Sequence, residues 1–160
     1  MRLTVVALTL VALAAPAAAQ NAGQISSAQR GASCPGCNLF QADLTGLEAR
    51  SRNFAGARLR QSTLMAAVLN GANFTRADLR DADGYGGVFG GANFSGANLT
   101  NSSWVGAYLE GANFSGATVT GANFSGAQMR QARGLTQRQL STACGDSSTE
   151  LPGSLSIPSC

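Results

Sequence analysis

Large apolar side chains recur at nearly every fifth residue from Cys34 to Met129, and a small residue stands two positions before most of them. The centres run through Leu39, Leu44, Ala49, Phe54, Leu59, Leu64, Leu69, Phe74, Leu79, Gly84, Phe89, Phe94, Leu99, Trp104, Leu109, Phe114, Val119 and Phe124. The small positions are mostly alanine, as at Ala57, Ala77, Ala97 and Ala117. A period of five fits neither the 3.6-residue helix nor the two-residue strand. The chain must therefore turn at every repeat, and a fixed short period is the mark of a solenoid. A second period of twenty sets the size of one coil: Phe54, Phe74, Phe94 and Phe114 repeat by twenty, each after an asparagine, as do Leu39, Leu59, Leu79, Leu99 and Val119. Four repeats per coil stack these sets into columns spaced by ~4.8 Å, one of phenylalanine beside one of leucine.

The rhythm divides the chain into residues 1–19, 20–33, 34–133 and 134–160. Residues 20–33 carry no repeat and are expected to form a flexible lead. Leu135 to Ala143 reads as a short helix: Thr136 is the N-cap, Gln139 completes a capping box, Leu135 and Leu140 flank it as a staple, and Gly145 ends it. A solenoid's last coil exposes unpaired edges and core, and this helix is placed to cover them. In residues 1–19, Arg2, the apolar run Leu3 to Ala15 and Ala17-Ala18-Ala19 form a secretory signal with cleavage near Ala19. The run is too short for a membrane span, so a periplasmic or secreted protein is expected.

The stretches Gly91-Ala92-Asn93-Phe94-Ser95-Gly96-Ala97-Asn98-Leu99, Gly111-Ala112-Asn113-Phe114-Ser115-Gly116-Ala117 and Gly121-Ala122-Asn123-Phe124-Ser125-Gly126-Ala127 resemble the pentapeptide-repeat family, whose motif is A(D/N)LxG. The resemblance covers residues 34 to 133. It implies an all-β fold, a right-handed quadrilateral β-helix with the centre and small residues inward and the other three outward. Phe54, Phe74, Phe94, Phe114, Leu59, Leu79, Leu99 and Trp104 are then core. Thr-Gln-x-Gln-Leu followed by Ala-Cys-Gly-Asp also resembles a tail found on some exported members, which supports a cap.

Two places depart from the pattern. At Leu47 to Arg52, arginine occupies a small position; burying it unpaired is costly, so a local bulge turning Arg52 outward is expected. At Gly84 the centre has no side chain, and Trp104, one coil on, has the volume to cover the gap. The segment Asp81 to Gly87 is alternatively a loop, and whether Gly84-Tyr85-Gly86-Gly87 is functional stays open. Asp78, Asp81 and Asp83 do not make a calcium loop, because Leu79 holds the first ligand position and no glutamate closes it.

Four cysteines in an exported chain point to disulfides. About five coils separate the two ends by roughly 24 Å, beyond the ~7 Å Cα limit of a disulfide, so Cys34 is expected with Cys37 and Cys144 with Cys160. A redox CxxC is the alternative for Cys34 and Cys37, but a repeat rather than a helix follows it. A zinc site wants a further ligand pair, and the chain has no histidine.

Charge narrows the function. Beyond residue 19 there are ten arginines, eight acids and no lysine, a balance of +2, which is not that of a nucleic-acid binder. Without histidine or lysine to act as base, no catalytic residue, metal site or cofactor is proposed. The family's gyrase-binding DNA mimicry requires strong negative charge in the cytoplasm and is not carried over. A non-catalytic scaffold for protein interaction, or a structural part of the bacterial envelope, is the expected role. Its candidate face is Arg58, Arg60, Asp78 and Arg80. Stacked Arg60 and Arg80 repel at ~4.8 Å, and an anionic protein or envelope polymer would relieve them. Ice or carbohydrate binding would need long threonine or serine ranks, which Arg58, Asp78 and the two stacked arginines interrupt. No partner is named by the sequence, and a homodimer stays open.

Overall fold

The computed structural model describes residues 20–160; the signal-peptide reading lies outside these residues. Between residues 34 and 133 the chain winds in twenty-residue coils. Parallel bridges join each residue before a centre to its equivalent one coil on, as in Asn53 to Asn73 to Asn93 to Asn113 and Asn38 to Arg58 to Asp78 to Asn98. The bridges are isolated rather than parts of extended strands, because the chain corners after every one.

Nearly every corner has the same build. The small residue's N–H donates to the preceding centre's carbonyl, as in Ala57 N to Phe54 O at 3.0 Å. The residue before the small one has positive φ, as in Gly56 at 65°, the requirement of a type II turn. Centre N–H groups then donate across to the next coil, Phe54 N to Asn73 O at 2.7 Å. One outward N–H per repeat lies outside this ladder. The asparagine or aspartate before the centre accepts it, as Asn53 Oδ1 does from Ala55 N and Asn73 Oδ1 from Thr75 N, each at 3.0 Å. That is why the motif demands Asn or Asp there.

The eight core residues named from the sequence are at most 1 % exposed. Phe54, Phe74, Phe94 and Phe114 stack with successive centroids 5.5, 5.2 and 5.2 Å apart. Gly84 stays within the ladder: its N–H donates to Ser103 O at 2.8 Å and Gly87 N closes the usual turn on Gly84 O at 3.1 Å. There is no loop. A Cβ at Gly84 would lie 2.6 Å from the Trp104 ring, so the indole fills the space the glycine leaves. Gly87 yields in the same way to Phe89. Arg52 is exposed, as expected, while the bridges on either side of it, Glu48 to Val68 and Asn53 to Asn73, keep register.

Residues 20–33 are not a flexible lead. They contain helix α1, Ala22–Gln29, capped by Asn21, whose Oδ1 accepts from Gln24 N at 3.0 Å. Its weak amphipathicity hid it: only Ala28 is buried, with Ile25 packed against the core. Asn21 and the positive-φ Gly31 were the available start and stop signals. The helix and the segment after it supply what a preceding coil would have supplied. Gln24 Oε1 accepts from Asn38 N at 2.7 Å, Gln29 Nε2 donates to Asp43 O at 2.9 Å, and Ser33 Oγ accepts from Asn53 N at 3.0 Å.

At the other end α2 is shorter than expected, Gln137–Leu140, with its capping box intact. It stops early because Cys144 returns to the ladder, its N–H on Ala122 O at 2.9 Å and its carbonyl taking Phe124 N at 2.8 Å. Leu140 is fully buried, and Leu135, Leu151 and Ile157 pack on the core. Gln139 caps the open edge as well as the helix, donating through Nε2 to Phe114 O at 3.1 Å and Ala117 O at 2.9 Å. Glu150 and Ser159 extend the pairing beyond the last repeat. Disulfides join Cys34 to Cys37 and Cys144 to Cys160, with Cα separations of 5.4 and 4.9 Å.

Candidate functional site

The twenty-residue register brings Arg58, Arg60, Asp78 and Arg80 onto one face, on either side of the Leu59 and Leu79 centres. With Asn38, Phe40 and Gln61 they line a concavity of about 480 Å³. The side chains do not pair as their columns suggest. Arg58 is bridged through its backbone to Asp78, yet the Asp78 carboxylate turns along its own coil. It accepts from Arg80 Nε at 2.7 Å and from an Arg80 terminal nitrogen at 2.6 Å. Arg60 donates through Nε to Asp81 Oδ2 at 3.3 Å.

The repulsion between Arg60 and Arg80 is thus answered within the chain, each by its own aspartate. The Arg58 side chain is left, exposed and without an ion pair or hydrogen bond among the described residues. Its charge is the uncommitted one in the concavity. The Arg80 hydrogen bonds hold the Asp78 carboxyl below the usual carboxylate range, against the opposing effect of partial burial, and Asp78 raises Arg80 in turn. Both remain ionised at any physiological pH.

The hydroxyl-bearing columns are occupied. Thr75 Oγ1 donates to Asn73 Oδ1 and Thr100 Oγ1 to Asn98 Oδ1, both at 2.6 Å, and Ser115 Oγ to Asn113 Oδ1 at 2.7 Å. One side-chain bond, Asn113 Nδ2 to Asn93 Oδ1 at 3.3 Å, runs along the asparagine column. These bonds complete turns and leave no rank of free hydroxyls. Among the described residues no group of histidine, cysteine and acidic side chains is arranged to hold a metal ion.

The geometry agrees with the comparisons. The family model for pentapeptide repeats matches residues 52–83 and 92–131, in eight copies. A pentapeptide repeat protein from the thylakoid lumen of Arabidopsis thaliana is 36% identical; the match covers 60% of this chain and 70% of that one, with a TM-score of 0.50. The chain belongs to the pentapeptide-repeat family. Two cyanobacterial structures also match at lower similarity. One is a pentapeptide repeat protein from Cyanothece 51142, 20% identical over 81% of this chain and 97% of that one, with a TM-score of 0.37. The other is HetL from Nostoc sp. strain PCC 7120, involved in heterocyst differentiation regulation, 19% identical over 80% and 60%, also at 0.37. No curated protein matches the chain.

Proposed function

We propose that this chain is an exported, non-catalytic scaffold that binds an acidic surface of a partner protein in the bacterial envelope. In this reading residues 34–133 form a right-handed, four-sided β-helix, closed by residues 134–160. The observation that carries the binding role is Arg58: an exposed guanidinium with no partner in the described chain, in a concavity edged by Phe40. Arg60 and Arg80, each holding an aspartate, set the walls. A guanidinium presents a planar fork suited to a carboxylate, and a local excess of arginine favours acidic partners.

Export is supported by the signal pattern in residues 1–19 and by two disulfides with no free cysteine among the described residues. No described helix is long and apolar enough to cross a membrane. A non-catalytic role is supported by the lack of histidine and lysine and by serines engaged in turns.

The test is a crosslinked pull-down from an envelope fraction with the purified oxidised protein, beside Arg58→Ser and Arg60→Ser/Arg80→Ser. One specific protein, lost with Arg58→Ser and weakened by salt, is the expected result. Equal recovery by all three refutes the face. Recovery of an anionic or carbohydrate polymer in place of a protein replaces the partner class.

A further inference from the structure

A different face has the chemistry of a self-complementary interface. Around one corner of the middle coils the outward positions are apolar over three successive turns. Val68, Val88 and Tyr108 form one column, and Met65, Tyr85 and Val105 form the column across the corner. Elsewhere outward positions are mainly Asn, Ser, Thr, Gly or charged. Tyr85 is 53% and Tyr108 40% exposed, the two exposed large apolar side chains of the described chain. A Cβ at Gly90 would meet the Tyr108 ring at 2.8 Å, so that ring lies over the glycine and flattens the face. Glu110, which borders it, turns away to accept from Gln131 N at 2.6 Å. The centre of the face is thereby left apolar and free of charge.

We propose that a second copy of this chain docks on this face, antiparallel, about a two-fold axis that passes through Val88 at right angles to the stack. The sequence order of the face is its own complement under that operation. Val88 meets Val88, and Val68 meets the second copy's Tyr108. The coil bearing Glu48 and Arg50 meets the coil bearing Gln128 and Arg130. The side chains of Glu48 and Arg50 have no ion-pair or hydrogen-bond partner among the described residues, and Arg130 holds Glu150 at 2.9 Å. Each end of the interface therefore sets Arg50 beside Arg130 of the second copy, with Glu48 and Glu150 adjacent to them. Two-fold symmetry of this kind makes one patch serve both copies.

The same operation brings the Met65, Tyr85 and Val105 columns of both copies to one rim, widening the apolar contact. A parallel pairing would set Val68 against Asn70 and put the two tyrosine corners on opposite sides. Docking through the face on the other side of the corner would bring Asp83 against Asp83. Of these arrangements the antiparallel one alone matches apolar with apolar across the centre of the face.

The test is light scattering and sedimentation of the purified oxidised chain at about 100 µM. A dimer is expected. Val88→Glu places two like charges on the axis and weakens dimerisation by more than roughly tenfold. Val88 is an outward position, so far-UV circular dichroism should stay unchanged. Arg58→Ser, on another face, leaves the dimer intact. Val88→Cys forms a covalent dimer under mild oxidation, and Val68→Cys crosslinks to Tyr108→Cys when the two are mixed. A monomeric chain, a dimer indifferent to Val88→Glu, or a folded Val88→Cys variant that does not crosslink overturns the proposal. None of these outcomes bears on the Arg58 face, which is tested by retention of its partner.

Discussion

The Gly84–Trp104 exchange makes a sharp quantitative test of how the core is filled. In the column of Leu44, Leu64, Gly84, Trp104 and Phe124, coil three gives up its side chain and coil four supplies the volume. Gly84→Leu alone drives a Cβ to 2.6 Å from the indole and should cost about 1–3 kcal/mol or more as overpacking. Trp104→Leu alone empties the space over Gly84. It also removes edge-on contacts with Phe89 and Phe94 at centroid distances of 5.0 and 5.3 Å. Full truncation of a buried tryptophan costs ~3–5 kcal/mol, and leucine should recover part of that, leaving about 2–4 kcal/mol. Ser102 loses the indole donor at 2.7 Å but still donates to Leu99 O at 2.6 Å, so no buried group is orphaned. The double variant restores a leucine pair. Its cost should be no more than that of the milder single change, a coupling of about 3 kcal/mol. Urea unfolding followed by far-UV circular dichroism reads all four proteins, since Trp104 is the only tryptophan. Additive costs would show that the two sites are independent and that Gly84 is not balanced by the indole.

Gln139→Ala removes the capping box and the two bonds to Phe114 O and Ala117 O together, and should lower stability by about 2–3 kcal/mol; an effect under half of that in urea unfolding would mean water replaces the amide. Gly106 has φ of 65°, and a Cβ added there would meet nothing within 4 Å. Gly106→Ala should therefore cost only the left-handed backbone penalty of about 1 kcal/mol, and Ala66→Gly, at φ 54°, should recover a similar amount less the added chain entropy; thermal unfolding midpoints read both. Asp78 and Asp146 have folded pKa values below the ordinary carboxylate range, Asp78 chiefly through Arg80 and Asp146 chiefly through Ser148. Their contribution is present above the unfolded value of about 4 and is lost as pH falls through the folded values; unfolding midpoints should hold from neutrality to about pH 5 and then decline, with a shallower decline in Asp78→Asn.

The repeat, the coil length and the inward set were legible along the chain alone. These follow from one-dimensional periodicity: a residue every five positions faces the core and one every twenty joins the same column, so Phe54, Phe74, Phe94 and Phe114 had to stack. It also put Arg58, Arg60, Asp78 and Arg80 on one face for the same reason. Which of those charges pair was settled only in three dimensions. Asp78 had Arg58 one coil away and Arg80 two residues away, and side-chain reach, which periodicity does not encode, gave the carboxylate to Arg80 and left Arg58 free. Helix α1 escaped because its face is barely apolar; it holds its place by lending Gln24 and Gln29 amides to an open edge, and such bonds leave no hydrophobic pattern. For Gly84 the chain left two readings, Trp104 over the gap or an outward loop, and only the packed indole and the unbroken ladder decided for the first, because the filling side chain comes from the next coil, twenty residues away.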